Sequence, residues 1–217
     1  MGTITRSFAN NITTSGVLLT ASLTNNSIAN VTAYNAAVAT GNMVLISSQT
    51  ASNSASISFT TGINSTYKEY QFYFIDIHPR TDDVEFTFNL STDSGSNYNV
   101  TKTSTFFRTY HDEADTATTL VYFTGGDLAQ STAFQVIANG IGNGADELVV
   151  GSLQLFNPSS TTYVKHFISN CNTYTQDNYT ENDYIAGYGN TTSAINAVQF
   201  KMDSGNFDGT ILMYGIV

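Results

Sequence analysis

Apolar and polar residues alternate with a period of two in several stretches between residue 43 and the end of the chain. The stretch VEFTFNL, residues 84–90, shows this pattern plainly, with an aromatic or aliphatic residue at every second position. Successive side chains of a β-strand point to opposite faces, so the alternation predicts a strand with one buried face. We expect Glu85, Thr87 and Asn89 to lie on the solvent face of this strand.

Similar stretches follow one another at intervals of roughly 8–12 residues, a spacing typical of a sandwich or barrel. No window of about 11 residues shows the i, i+3, i+4, i+7 spacing of an amphipathic helix. The sequence therefore predicts an all-β fold, and we expect a jelly-roll-like antiparallel β-sandwich with an extended N-terminal segment. The predicted strands cover residues 43–50, 54–61, 70–77, 84–90, 118–123, 133–138, 148–156, 161–169, 183–189, 197–202 and 210–217.

The stretch YQFYFIDIHPRTDDVEF, residues 70–86, carries the first polar cluster. On a regular pleat Asp76 and His78 share the face of Phe72, and two ligands at i and i+2 are compatible with a metal ion. Asp82 and Asp83 are typical turn residues, because their short side chains accept hydrogen bonds from nearby backbone N–H groups. The residue types favour two strands joined by a turn, with a Ca²⁺-like cation site as the alternative.

A second polar cluster, YHDEAD, occupies residues 110–115. His111, Asp112, Glu113 and Asp115 are expected in an exposed acidic loop between two strands. Oxygen ligands at alternating positions also suit Ca²⁺, although the glycine of an EF-hand loop is missing. The weak metal candidates of the chain are therefore Asp76, His78, Asp82, Asp112 and Asp115.

The third histidine and the single cysteine fit structural roles. We expect His166 to be a core or interface histidine rather than a general base. Cys171 excludes an internal disulfide, and the surrounding stretch SNCNTY offers no basic neighbour that would stabilise a thiolate. It is therefore predicted to be a buried, small apolar residue.

Charge excludes one large class of partner. The chain has 7 basic and 17 acidic residues and a net charge of −10. No basic stripe could neutralise a phosphate backbone, so we expect no nucleic acid as a partner. No stretch approaches the ~18 apolar residues of a membrane span, which predicts no membrane insertion. The start of the chain lacks the apolar core of a secretory signal.

The charged residues are unevenly distributed along the chain. Between residues 1 and 67 the only charged side chain is Arg6, whereas all the acids lie from Glu69 onward. This asymmetry predicts an N-terminal assembly or anchoring segment at residues 1–42 and a β-sandwich domain at residues 43–217. The segment either wraps over its own domain or packs against other copies or other proteins, and we favour the second alternative. Its candidate contact residues are Ile4, Arg6, Phe8 and Ile12.

Known catalytic motifs are missing from the sequence. It has no Gly-x-Ser-x-Gly elbow, no His-Glu-x-x-His and no Walker loop. The glycine-rich stretch NGIGNGAD, residues 139–146, precedes a predicted strand and so cannot form the phosphate-binding end of a helix. We expect no enzyme activity, no catalytic residue and no cofactor, although the fold could still bring together a carboxylate pair of glycosidase type.

Four long stretches resemble a group of β-rich virion structural proteins, often labelled tail-fibre-like, of marine tailed bacteriophages, cyanophages among them. The resemblance covers most of residues 43–217, and the opening MGTITRSFANNITT is similar to the start of that group as well. The stretches that carry it are MVLISSQTASNSASISFTTGINSTYKEYQFYFIDIHPRTDDVEFTFNLSTDSG, TFFRTYHDEADT, LFNPSSTTYVKHF and NTTSAINAVQFKMDSGNFDGTILMYGI.

The resemblance implies a structural protein of a tailed-phage virion, made in the bacterial cytoplasm and built into the particle. We expect a fibre or appendage subunit that contacts other virion proteins and forms a homo-oligomer, with a trimer favoured because a fibre needs a symmetry axis. A host-surface glycan is a further expected partner. The alternatives are a capsid-decorating (cement) protein and a carbohydrate-binding module whose exposed tyrosines stack on sugars.

Overall fold

A computed structural model describes residues 42–217 of the chain. The predicted segment 1–42, apart from its last residue, lies outside the described residues, as do its contact candidates Ile4, Arg6, Phe8 and Ile12. The described part contains strands and no helix. Its twelve strands are β1 (Met43–Ser54), β2 (Ile57–Phe59), β3 (Glu69–Pro79), β4 (Val84–Ser91), β5 (Lys102–Asp112), β6 (Thr118–Tyr122), β7 (Gln135–Ile141), β8 (Val149–Phe156), β9 (Lys165–Tyr174), β10 (Tyr179–Gly189), β11 (Ala197–Met202) and β12 (Phe207–Ile216).

The strands form two antiparallel sheets of unequal width. The large sheet has eight strands in the order β1-β12-β3-β8-β9-β10-β5-β6, and the small sheet has four in the order β2-β11-β4-β7. The prediction of an all-β, jelly-roll-like antiparallel β-sandwich is confirmed. Unequal width means that one sheet cannot cover the whole inner face of the other, which leaves parts of the large sheet to be closed by loops.

An aromatic layer fills the space between the sheets. Its centre is Phe200 of β11, whose ring centroid lies 5.3 Å from that of Phe72 and 5.2 Å from that of Phe74, both on β3. Phe86 stacks on Phe200 from the neighbouring strand β4 at 5.9 Å. All four side chains are almost completely buried, and ring pairs at these separations contribute stabilisation beyond the apolar area that they bury.

Several strand boundaries differ from the predicted ones. The strand predicted at residues 161–169 is β9, and it begins four residues later and runs on to Tyr174, so Cys171 lies within a strand. The predicted strand at 183–189 extends back to Tyr179. Asn, Thr and acidic residues weaken the apolar alternation in these stretches, while continuous pairing between β9 and β10 keeps the backbone extended.

A bulge in β3 overturns the predicted facing of Asp76 and His78. The pairing of β3 with β8 shifts register between Phe74 and Ile77, and Asp76 has a positive φ of 51°. The extra residue reverses the alternation, so Ile77 joins Phe74 in the core while Asp76 is exposed. Aspartate tolerates this left-handed conformation better than most residues, which explains its position at the bulge.

The prediction that Thr87 and Asn89 face solvent is wrong, because both side chains are buried. The Asn89 side-chain amide donates to the carbonyl oxygens of Tyr98, at 2.7 Å, and Thr132, at 3.0 Å. Its Oδ1 accepts a hydrogen bond from the ammonium of Lys102. The loops that contain Tyr98 and Thr132 therefore cover the outer side of β4, where alternation alone predicts solvent.

Lys102 itself is fully buried and has no carboxylate partner among the described residues. Its Nζ donates to Asn89 and to the carbonyl oxygen of Val100. Removal from water disfavours the charged form, and this burial lowers the pKa of Lys102 to about 7.

Truncation of Phe200, the ring at the centre of the aromatic layer, should strongly destabilise the fold. We predict that Phe200→Ala lowers the free energy of unfolding by about 3–5 kcal/mol, because the cavity would lie between the two sheets where neighbouring rings cannot collapse into it. Denaturant titration measures the change. The control is Tyr163→Ala, whose side chain is 69% exposed and whose loss should cost no more than about 0.5 kcal/mol. Equal effects of the two substitutions would contradict the central place of Phe200.

Candidate functional site: the outer face of the large sheet

The first acidic cluster is engaged in turn and loop contacts. The His78 ring Nε2 lies 2.9 Å from the carbonyl oxygen of Gly144. Asp82 accepts the backbone N–H of Asn143 at 3.1 Å, and Asp83 adopts a positive φ of 56° in the turn before β4. The expected strand–turn–strand arrangement is therefore present, and these contacts tie the turn to the loop that follows β7.

Glu85 lies at the start of β4 next to other acids. Partial burial raises the pKa of Glu85, and the neighbouring carboxylates of Asp203 and Asp83 raise it further. Asp203 accepts the Glu85 N–H at 2.9 Å. The cluster thus relieves its like-charge repulsion partly by holding a proton more tightly.

The second acidic cluster forms the hairpin turn between β5 and β6. The structure places His111 and Asp112 in β5 and not in the expected loop. The carboxylate of Asp112 accepts the backbone N–H groups of Thr116, at 2.8 Å, and Ala117, at 2.7 Å. Hydrogen bonds from the Thr116 hydroxyl and from these amides lower the pKa of Asp112. His111 pairs with Asp115 at 3.1 Å on the surface.

No group of three His, Cys, Asp or Glu side chains in residues 42–217 comes together in an arrangement that could hold a metal ion. Asp76 lies at the bulge inside β3, His78 lies near the end of β3 and Asp82 lies in the β3–β4 turn, whereas Asp112 ends β5 and Asp115 lies in the β5–β6 turn. Asp112 is engaged by amides of its own turn, as short polar residues are in tight turns, and Asp82 is engaged by the amide of Asn143 in the loop after β7.

Two further predictions concern single residues of β9. Cys171 is fully buried, as expected, and burial raises the pKa of its thiol to about 12. His166 is exposed, which contradicts a core position and leaves the interface position a prediction; its ring lies 5.9 Å from that of Tyr188 on β10.

Charged side chains of the large sheet point into the sandwich. Arg108 of β5 donates from one guanidinium nitrogen to both carboxylate oxygens of Glu181, at 3.0 and 3.1 Å. The guanidinium carbon also lies 4.3 Å from the ring centroid of Phe123. Asp183, the next inward residue of β10, is fully buried, and its Oδ2 accepts the N–H of Asn139 at 3.0 Å. Its Oδ1 has no hydrogen-bond partner among the described residues.

The charge state of this group follows from its burial. Removal from water raises the pKa of Asp183 to about 9, and the negative charge of Glu181 adds to the rise. At neutral pH Asp183 therefore holds its proton, and the positive Arg108 balances the negative Glu181. A cleft of about 280 Å³ between Asp83, Asn139, Tyr110 and this ion pair gives solvent access to one side of Arg108 and Glu181.

The opposite face of the large sheet, which points away from the small sheet, is named here the outer face. One row of directly paired residues crosses it through all eight strands, and it contains no charged side chain. In strand order the row is Ser48, Leu212, Tyr73, Ser152, Asn170, Tyr184, Phe107 and Tyr122.

The two flanking rows of the outer face are also uncharged, so a chain of net charge −10 presents a broad neutral surface. One row contains Leu45, Tyr214, Gln71, Gln154, Ile168, Ala186 and Thr105. The other contains Thr50, Thr210, Ile75 and, across β8 to β6, Val150, Asn172, Asn182, Thr109 and Leu120.

Aromatic side chains stand on both sides of a polar strip on this face. Phe107 and Tyr184 are stacked, with ring centroids 4.9 Å apart and planes 8° from parallel. Three strands away, Tyr73 meets Tyr214 edge to face at 5.8 Å. Paired strands lie about 4.8 Å apart, so Tyr73 and Tyr184 stand roughly 14 Å from each other across β8 and β9.

The polar strip between the aromatic pairs is held in place by the sheet. The amide nitrogen of Asn170 donates to the carbonyl oxygen of Asp183 at 3.3 Å. That of Asn172 donates to the carbonyl oxygen of Glu181 at 2.9 Å and to the hydroxyl of Thr180 at 3.0 Å. With their N–H groups directed to the sheet, both side chains retain an acceptor oxygen. Rings with polar groups between them can stack on and hydrogen-bond to an uncharged ligand.

Sequence reasoning missed both the inward charges and the outer face. A signal for the first existed in β9, where Lys165 is also fully buried. Lys165 falls on the same side of a regular strand as Cys171, and Cys171 was predicted to be buried. The outer face gives no such signal, because its central row joins residues from eight strands. Local alternation predicts individual strands but not their order in the sheet.

No family model, no curated protein and no solved structure matches the chain. Within residues 42–217, no helix has the length and apolar character needed to cross a membrane.

The protonated Asp183 should make stability depend on pH. From about pH 5 to about pH 7 the folded chain keeps this proton, whereas the unfolded chain, with an ordinary aspartate pKa near 3.9, has lost it. The free energy of unfolding of the wild type should therefore fall as pH rises, relative to Asp183→Asn, by up to about 1.4 kcal/mol per pH unit. Urea titrations across this range measure both slopes.

The matched control is Asp177→Asn, which removes an exposed acid at the mouth of the same cleft. This variant should keep the wild-type slope. If Asp183→Asn and the wild type show the same pH dependence, Asp183 is ionised in the folded protein and the assignment is wrong.

The two acidic turns should act as a solvated rim and not as a calcium site. We predict that thermal melts in excess EDTA and in millimolar Ca²⁺ coincide, because no three acidic or histidine side chains in residues 42–217 come together to hold an ion. A bound ion at about 100 times its Kd would add ~2.7 kcal/mol and raise the melting temperature by roughly 2–4 °C at this chain length. A rise of that size with Ca²⁺ would mean that the acidic turns bind the ion and would contradict this prediction.

Proposed function

We propose that the chain is a structural protein of a tailed-phage virion, a fibre or appendage subunit without catalytic activity. The resemblance of its sequence to marine-phage virion proteins supports this proposal. Within the particle its partners are other virion proteins and further copies of itself, with a trimer favoured. Residues 1–42 serve as the assembly segment, and residues 43–217 form the module that is exposed on the surface of the particle.

The outer face is the observation that favours a recognition role for this module. Side chains of Phe107 and Tyr184 remain 43% and 39% exposed although they stack on each other. Asn170 and Asn172 offer acceptors beside them, and no charged group lies in these rows. A surface of this kind suits a neutral glycan, whose apolar ring faces stack on aromatic rings while its hydroxyls bond to amides. A host-surface glycan is therefore the proposed target.

A capsid-decorating protein remains the second candidate, because a broad neutral face could equally rest on a capsid lattice. The number of copies in a particle separates the two roles. A decorating protein is present in proportion to the lattice sites, whereas a fibre is present in few copies at one vertex or around a tail.

The proposal predicts that the purified full-length chain binds host cells and competes with adsorption of the phage that encodes it. Tyr184→Ala should weaken binding by about threefold to tenfold, which corresponds to the loss of one aromatic contact. The control Tyr163→Ala removes an exposed tyrosine outside the three rows of the outer face and should bind as the wild type does. Quantitative mass spectrometry of purified particles gives the copy number.

A chain that is missing from purified virions would contradict the structural role altogether. A chain that is present at lattice copy number and does not bind host cells would instead support the capsid-decorating alternative.

A further inference from the structure

Within residues 42–217, strand β6 lies at one edge of the large sheet and pairs on one side only, with β5. Two flanking contacts set the direction of its backbone groups. The N–H of Phe123 donates to Phe106, and the carbonyl of Ala117 accepts from Asp112. Backbone groups alternate in direction along an antiparallel strand. Residues 119 and 121 therefore face β5, whereas Thr118, Leu120 and Tyr122 direct their N–H and C=O groups away from the sheet.

Three of the five side chains of β6 are aliphatic or aromatic, and they are exposed on both faces of the sheet. Leu120 is 70% exposed on the outer face, next to the stacked Phe107–Tyr184 pair, and Val121 is 41% exposed on the inner face. The strand, TTLVY, has no charge and no proline. Natural edge strands are normally protected by charge, proline, bulges or a covering segment, because an unprotected edge adds another strand.

The opposite edge of the sheet differs in this respect. Strand β1 has two register irregularities in its pairing with β12, between Leu45 and Ser47 and between Ala51 and Ser54. Bulges of this kind interrupt the regular ladder that a new strand would need. The pairing of β6 with β5 is regular over its whole length.

We propose that β6 pairs antiparallel with β6 of a second copy across a two-fold axis at Leu120. Leu120 then faces the partner's Leu120 as a hydrogen-bonded pair, and Thr118 faces the partner's Tyr122. Three outward-directed residues on each strand supply about six hydrogen bonds. The strand is self-complementary because it is neutral and because its outward backbone groups are symmetric about Leu120. The N–H and C=O groups of one β6 can therefore bond to those of a second copy without any further strand or loop.

This pairing joins two eight-stranded sheets edge to edge and places their outer faces side by side. It doubles any assembly that other surfaces form, so a trimer would become a hexamer. The inference rests on the geometry of β5 and β6 and does not depend on the proposed function. Failure of host binding would leave it intact.

Sedimentation of the full-length chain at micromolar concentration is the first test. The wild type should have an even number of 23.4 kDa chains. Leu120→Lys should have half the wild-type mass, because two like charges would face each other across the axis. Leu45→Lys, a change on the same face at the other edge, should keep the wild-type mass. A wild type that sediments as a monomer, or a Leu120→Lys variant of unchanged mass, overturns the proposal.

Disulfide formation is the second test and also fixes the register. Thr119 faces the partner's Val121 as a non-hydrogen-bonded pair, with Cα atoms about 4.5 Å apart, within disulfide range. The double variant T119C/V121C should therefore form covalent dimers under mild oxidation, whereas T119C and V121C alone should not. The native Cys171 is fully buried and does not interfere. Equal cross-linking of a single variant and the double variant, or none in the double variant, overturns the two-fold register.

Discussion

The aromatic layer between the two sheets is the constraint on which the rest of this structure depends. Phe200 and its neighbours can be buried only if each strand of both sheets turns its large apolar row to the same gap. Because the side-chain period of a strand is two, this choice also decides which residues face away from the gap. The composition of the outer face is therefore a direct result of packing on the inner one.

The same constraint explains why charged residues lie inside the large sheet. On β10 the row that contains buried Ile185 also contains Glu181 and Asp183, so a strand that buries Ile185 must bury the two acids as well. The cost of removing them from water is reduced by the ion pair with Arg108 and by the retained proton of Asp183. Beyond the width of the small sheet, polar side chains and loops complete the interior.

Local alternation was sufficient to predict the fold class, because the period-two signal survives in most strands. It failed where tertiary contacts override the pleat. A single bulge at Asp76 moved Ile77 into the core, and two loops closed over Asn89 on a face that otherwise meets water. Neither the bulge nor the loop closure can be predicted from a stretch of a few residues of sequence. The central row of the outer face was beyond prediction for a related reason, since it exists only once the order of the strands is known.

Cys171 gives the fold a particular kind of chemical durability. With a pKa of about 12, its thiol is ionised in only about one molecule in ten thousand at pH 8, and the thiolate is the form that oxidants attack. The described fold contains no disulfide whose reduction could loosen it. Its stability should thus be the same in reducing and in oxidising solution, so the domain can fold in one and persist in the other without any covalent maturation step.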